Sequence, residues 1–178
     1  IIVLGNLRLG KDKTKRCMNN DCGGDCMITK EQALLTKEDF HTRTDLPNWL
    51  YKEYETFHNT VTDKTFPCFF GMSGELKGEL RYAFISQEDW SNLPSAVEGF
   101  LDLFKLPNYK RHGLFVFVEP FEQEGSIEDY RKQFWDILQY LHEMDEVEWP
   151  EDSPRDPDHH LWDFRFNGEP IFVFGNAP

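Results

Sequence analysis

The 178-residue sequence lacks any stretch near the roughly 20 apolar residues that a membrane-spanning helix needs. Its opening "IIVL" is too short for the apolar core of a secretory signal. No Walker P-loop, dinucleotide-binding glycine fingerprint, nucleophile elbow or H-E-x-x-H pair occurs, so none of the reactions those motifs carry is indicated. No internal repeat or low-complexity tract is visible. Basic residues are scarce: 19 Lys and Arg stand against 32 Asp and Glu, for a net charge of −13. Such a surface repels phosphate backbones, which argues against a nucleic-acid partner and is compatible with a cationic small molecule. Four Cys without a secretory signal read as reduced thiols in a cytoplasmic protein with no membrane partner. Residue 1 is Ile, and "IFVFGNAP" stops as a strand ends, which reads as a fragment truncated at one or both ends.

Core-forming material is ample, with sixteen Phe and five Trp. One domain is expected over 36–178, preceded by an extension, 1–35, of uncertain structure. From Asp45 the periodicity is clear. Leu46, Leu50, Tyr54, Phe57 and Val61 recur at helical spacing. "FPCFFG" reads as a short strand and "ELRYAFI" as an alternating one, joined by a glycine-containing loop into a hairpin. Leu93, Val97, Phe100, Leu101 and Phe104 mark a second helix. "GLFVFVEP" is a buried strand closed by Pro120. Ser126 and Asp129 form a capping-box-like pair that opens a third helix, with Tyr130, Phe134, Ile137, Leu138 and Leu141 on its core face. After an acidic loop, "LWDFRF" and "IFVFG" flank an Asn167-Gly168 turn, a strong hairpin signal. The order α-β-β-α-β-α-β-β predicts an α+β fold. About five strands, two hairpins and a central strand, would form a mixed or antiparallel sheet against three helices.

Several residues admit both a chemical and a packing reading. Cys17, Cys22 and Cys26 could bind a metal, but C-x4-C-x3-C fits no common pattern, and flexible tail cysteines are the better reading. Cys68, in a Phe-rich run, is a small buried hydrophobe or a thiolate ligand. Arg81 is either on a solvated strand face or buried against an acidic partner. His142 lies at the edge of the third helix's apolar stripe, as a structural residue or as a ligand. Glu119 ends the central strand, where sheet proteins place binding groups, and could hold a guanidinium or ammonium. Trp149, Trp162 and Asp163 could line the same end.

Taken together, "FPCFFG", "GELRYAFI", "LFVFVEP", "FWDILQYLHEMD", "WPEDSPRDPDHHLWDF" and "FNGEPIFVFGNAP" resemble the YqcI/YcgG family, in the family's order and from about Leu46 onward. Where relatives carry Leu-His-Pro near the last strand's end, this chain has Asn176-Ala177-Pro178. Some relatives are haem-dependent N-hydroxylases of guanidino nitrogens in natural-product pathways. The resemblance therefore implies b-type haem, dioxygen activation and a small cationic substrate such as a guanidino compound. Cys68, Arg81 and His142 are then the candidate cofactor-binding residues, and Glu119, Tyr82 and Trp162 the candidate substrate-binding ones. The alternative is a cytosolic domain that binds a small ligand or a partner without catalysis.

Overall fold

A computed structural model describes residues 2–5 and 33–176. Its organising strand is β3 (Gly113–Val118), the "GLFVFV" run. Leu114, Val116 and Val118 pack into one apolar cluster, Phe115 and Phe117 into another. A strand apolar on both sides belongs to a sheet covered on both faces, which is the usual setting of parallel strands. That is what forms. β3 pairs in parallel with β2 (Leu80–Ile85) on one side and with β1 (Ile2–Gly5) on the other. β6 (Val173–Asn176) pairs in parallel with the far side of β1. The order is β2-β3-β1-β6.

Helices cover the two faces. After a short helix, α1 (Asp39–Thr42), helix α2 (Asn48–Thr62) lays Leu50, Tyr54, Phe57 and Val61 against Tyr82, Phe115 and Phe117. The opposite face receives α4 (Leu93–Lys105), through Ala96, Val97 and Phe100, and α5 (Ile127–Met144), through Ile137, Leu138 and Leu141. α5 opens with the expected capping box: Ser126 Oγ accepts the Asp129 N–H, and the Asp129 carboxylate accepts the Ser126 N–H. A separate antiparallel pair, β4 (Phe164–Phe166) and β5 (Glu169–Ile171), packs Phe164, Phe166 and Ile171 into the α4/α5 side of the core. Asn167 and Gly168, at φ 52° and 75°, make its turn.

The fold expected from the sequence is therefore corrected. The main sheet has four strands and is all-parallel, not a mixed or antiparallel sheet of about five, and five helices are seen among the described residues rather than three. Two local causes account for the difference. "FPCFFG" is not a strand. Cys68 caps helix α3 (Phe69–Lys77), its Sγ accepting the Gly71 N–H at 3.4 Å, and Gly78 ends the helix at φ 68°. Gly71 and Gly74 face Phe66, Val61 and Leu80 closely enough that glycine suits this packing better than larger residues. Second, "IFVFG" divides: β5 stays in the hairpin and β6 leaves it to join β1, with the Ile2 N–H donating to Phe172 O at 2.9 Å. The expected N-terminal extension thus contributes an inner strand through Ile2–Gly5. Cys17, Cys22 and Cys26 lie outside the described residues.

Candidate functional site

A parallel sheet opens its crevices at the carboxyl ends of its strands. Here a cleft of about 360 Å³ lies at that end of β1, β3 and β6. Leu4 and Gly5 of β1, Val118 of β3, and Gly175 and Asn176 of β6 line one side. Both glycines sit at close approaches. A Cβ on Gly5 would stand 2.5 Å from the Asn176 carbonyl oxygen, and one on Gly175 would stand 2.9 Å from the Phe134 ring.

The N-terminal half of α5 supplies the other side. Ile127, Tyr130, Arg131, Phe134 and Ile137 recur at helical spacing and face the cleft. The next stripe round the helix, Asp129, Lys132, Gln133 and Asp136, faces an adjoining groove of about 480 Å³ that also holds Glu124. Gln133 lines both.

Between the two, a hydrogen-bond chain ties the sheet to the helix. Gln133 Nε2 donates to Gln87 Oε1 at 3.1 Å. The Gln87 N–H donates to Glu119 Oε2 at 3.1 Å, and Gln87 Nε2 donates to the Glu119 carbonyl oxygen. Glu119, picked out from the sequence, therefore stands just past the cleft-lining Val118, with one carboxylate oxygen engaged by the backbone.

The other expected site residues lie elsewhere. Arg81 sits near the amino ends of β2 and β3, at the opposite end of the sheet from the cleft. It donates to the Gly78 and Leu80 carbonyls and stands 5.8 Å over the Tyr109 ring. Burial lowers its pKa from the usual value. Cys68 is exposed at the start of α3. His142 and Trp162 are brought together with Trp135, Trp149 and Arg155 in a pocket of about 190 Å³ at the other end of α5. Cys68, Arg81 and His142 thus do not converge on one cavity. The described lining of the carboxyl-end cleft contains no thiol or imidazole. These residues do not compose a haem site with an axial ligand.

Tyr82 is fully buried and belongs to a polar cluster that sequence reasoning missed. Glu75, on α3, is 0 % exposed. Its carboxylate accepts the Tyr82 hydroxyl and the Tyr54 hydroxyl (3.0 Å), meets His58 Nδ1 at 2.6 Å and lies 3.7 Å from Lys37 Nζ. Burial pushes the Glu75 pKa up, but hydrogen bonds from Tyr82, His58 and Tyr54, with the Lys37 charge, outweigh it and hold the group below its ordinary value. Burial, reinforced by the Glu75 charge, pushes both tyrosines well above theirs, so they remain donors. A buried acid in "GELKGEL" leaves one faint trace in the sequence: it directly follows Gly74, where a Cβ would stand 3.1 Å from the Leu80 side chain.

Comparison with known proteins gives the lineage. The model of the YqcI/YcgG family matches residues 57–178. The chain belongs to the YqcI/YcgG family. Its relatives include the uncharacterized proteins YcgG and YqcI of Bacillus subtilis (strain 168). YcgG is 34% identical over 75% of this chain and 56% of the relative; YqcI is 31% identical over 82% and 61%. A third, DcsA of Streptomyces lavendulae, carries a provisional N(omega)-hydroxy-L-arginine synthase name and is 26% identical over 75% of this chain and 53% of that protein. The chain thus spans a little over half the length of these YqcI/YcgG relatives. No solved structure matches at a significant level. No helix among the described residues is long and apolar enough to cross a membrane.

Proposed function

We propose that this chain is the substrate-binding part of an N-oxygenating enzyme, acting on a guanidino or amine nitrogen of a small compound bound at the carboxyl-end cleft. The observation that carries the reading is a cleft at the carboxyl ends of three parallel strands in a member of the YqcI/YcgG family. The name of the Streptomyces lavendulae relative supports the reaction class. In that reaction one atom of dioxygen enters an N–H bond and the other leaves as water, with two electrons and two protons supplied by a reductant. The reaction needs an oxygen-activating group, and the described lining of the cleft offers haem no thiol or imidazole ligand. The test is to titrate the full-length protein with hemin, recording the absorption spectrum. It is then incubated with dioxygen, a reductant and a panel of guanidino compounds, and oxygenated product is sought by mass spectrometry. A product one oxygen heavier is expected, and its absence defeats the proposal; the hemin titration reports whether haem binds through residues other than Cys68, Arg81 and His142.

A second reading is a ligand-binding domain without catalysis. The separation of Cys68, Arg81 and His142 favours it. Under that reading guanidino compounds bind, and neither haem uptake nor product is seen.

A further inference from the structure

The charge of the carboxyl-end cleft runs against that of the chain. The whole sequence carries a net charge of −13, yet the described lining of the cleft includes no acid and one charged side chain, Arg131. Tyr130 and Phe134 flank Arg131 on α5, and Asn176 faces them from β6. A guanidinium beside aromatic walls and amide groups suits a carboxylate. Its planar fork can engage both carboxylate oxygens, and the Arg131 side chain is exposed and so reachable by a ligand. A free cation would find no counter-charge among these lining residues.

One step round the helix the sign changes. The adjoining groove is lined by Glu124, Asp129 and Asp136, with Lys132 as its one base. Lys132 is taken up by Asp136 at 2.5 Å, and Asp129 by the helix cap. Gln133, common to both cavities and anchored through Gln87, marks the boundary. The two linings are therefore polarised, with Arg131 on the cleft side of Gln133 and an excess of acids on the groove side.

We propose that Arg131 is a specificity-determining residue that holds the carboxylate of a zwitterionic guanidino or amino acid, leaving the ligand's cationic end directed across Gln133 toward the acid-lined groove. The inference rests on the proposed function for its ligand class, and it adds the requirement for a carboxylate and the residue that reads it. It adds a basic residue to Glu119, the acid that the sequence offers for a guanidinium or ammonium.

The experiment is calorimetric titration of the full-length protein with three probes: L-arginine, agmatine, which lacks the carboxylate, and L-norvaline, which lacks the guanidine. Each is repeated on Arg131→Gln and Arg131→Lys, with circular dichroism confirming that both variants are folded. The expected result is that L-arginine binds at least about tenfold more tightly than agmatine. Arg131→Gln should abolish that ratio without changing agmatine affinity, and Arg131→Lys should restore part of it. Equal weakening of both ligands by Arg131→Gln, an unchanged ratio, or L-arginine binding no better than agmatine overturns the inference. Binding is read without haem or turnover. Arg131-dependent binding with no oxygenated product therefore defeats only the proposed reaction, and product formation with an unchanged ratio in Arg131→Gln defeats only the role of Arg131.

Discussion

The hydroxyl of Tyr82 on β2 donates to the carboxylate of Glu75 on α3, and both side chains are completely buried. Neither residue could be placed so without the other. A buried carboxylate needs donors, and a buried phenol needs an acceptor.

Replacing Glu75 by Leu should therefore cost about 2–4 kcal/mol, since it strands the Tyr54 and Tyr82 hydroxyls and leaves His58 and Lys37 without their acid. Glu75→Gln, which keeps an acceptor, should cost less. Urea denaturation of the three proteins ranks them.

The same cluster sets an acid limit. The folded-state pKa of Glu75 lies below its ordinary value, so its stabilisation is fully present above about pH 4.3, the unfolded carboxylate value. It is lost as pH falls through the lower folded value. In Glu75→Gln the loss of stability below that pH should be shallower than in the parent, as followed by thermal melts across pH 3–6.

The two cleft glycines differ in what they face. Gly175→Ala meets the Phe134 side chain, which can turn aside, whereas Gly5→Ala meets the Asn176 backbone, which cannot. Gly5→Ala should be the more damaging, at roughly 1–3 kcal/mol in the overpacking range. Chemical denaturation gives the order, and the opposite order would contradict the register of β1 with β6.

At the start of α5, Ser126→Ala and Asp129→Ala should each cost about 1 kcal/mol. Their double variant should cost less than the sum, because each hydrogen bond of the box depends on the helix start that the other fixes.

Cys68 is exposed, so Cys68→Ser should change stability by no more than about 0.5 kcal/mol and should remove one fast-reacting thiol from a native-state thiol titration.

Much of this architecture was legible from periodicity. The stripes of α2, α4 and α5, the Ser126–Asp129 box and the Asn167-Gly168 turn depend on neighbours along the chain, and local chemistry specifies them. The sheet's direction was not legible. β2 and β3 are parallel through the α4 crossover, and the rest turns on whether Ile2–Gly5 inserts between β3 and β6, a pairing with no local signature beyond a short apolar run. "FPCFFG" misled because Phe69 and Phe70 resemble core residues, yet they stand 67 % and 85 % exposed while the glycine side of the helix packs inward. For the site, the sequence offers Glu119 as a strand-end acid, and the structure sets it beside Val118 but in the lining of neither cavity. Arg131 was hidden as an ordinary charged letter on a helix, and only the cleft's lining singles it out.

The position of β1 also governs the order of assembly. Ile2 has Leu114 as its neighbour on one side and Val173 on the other, so the sheet's middle is closed by partners drawn from distant stretches of the chain. β2, α4 and β3 can associate early through short connections. β6 has no sheet partner until β1 is seated, and such long-range pairing slows folding. The cleft, built from β1, β3 and β6 together, is therefore among the last features to form, and trimming the first five residues would remove its floor along with its strand.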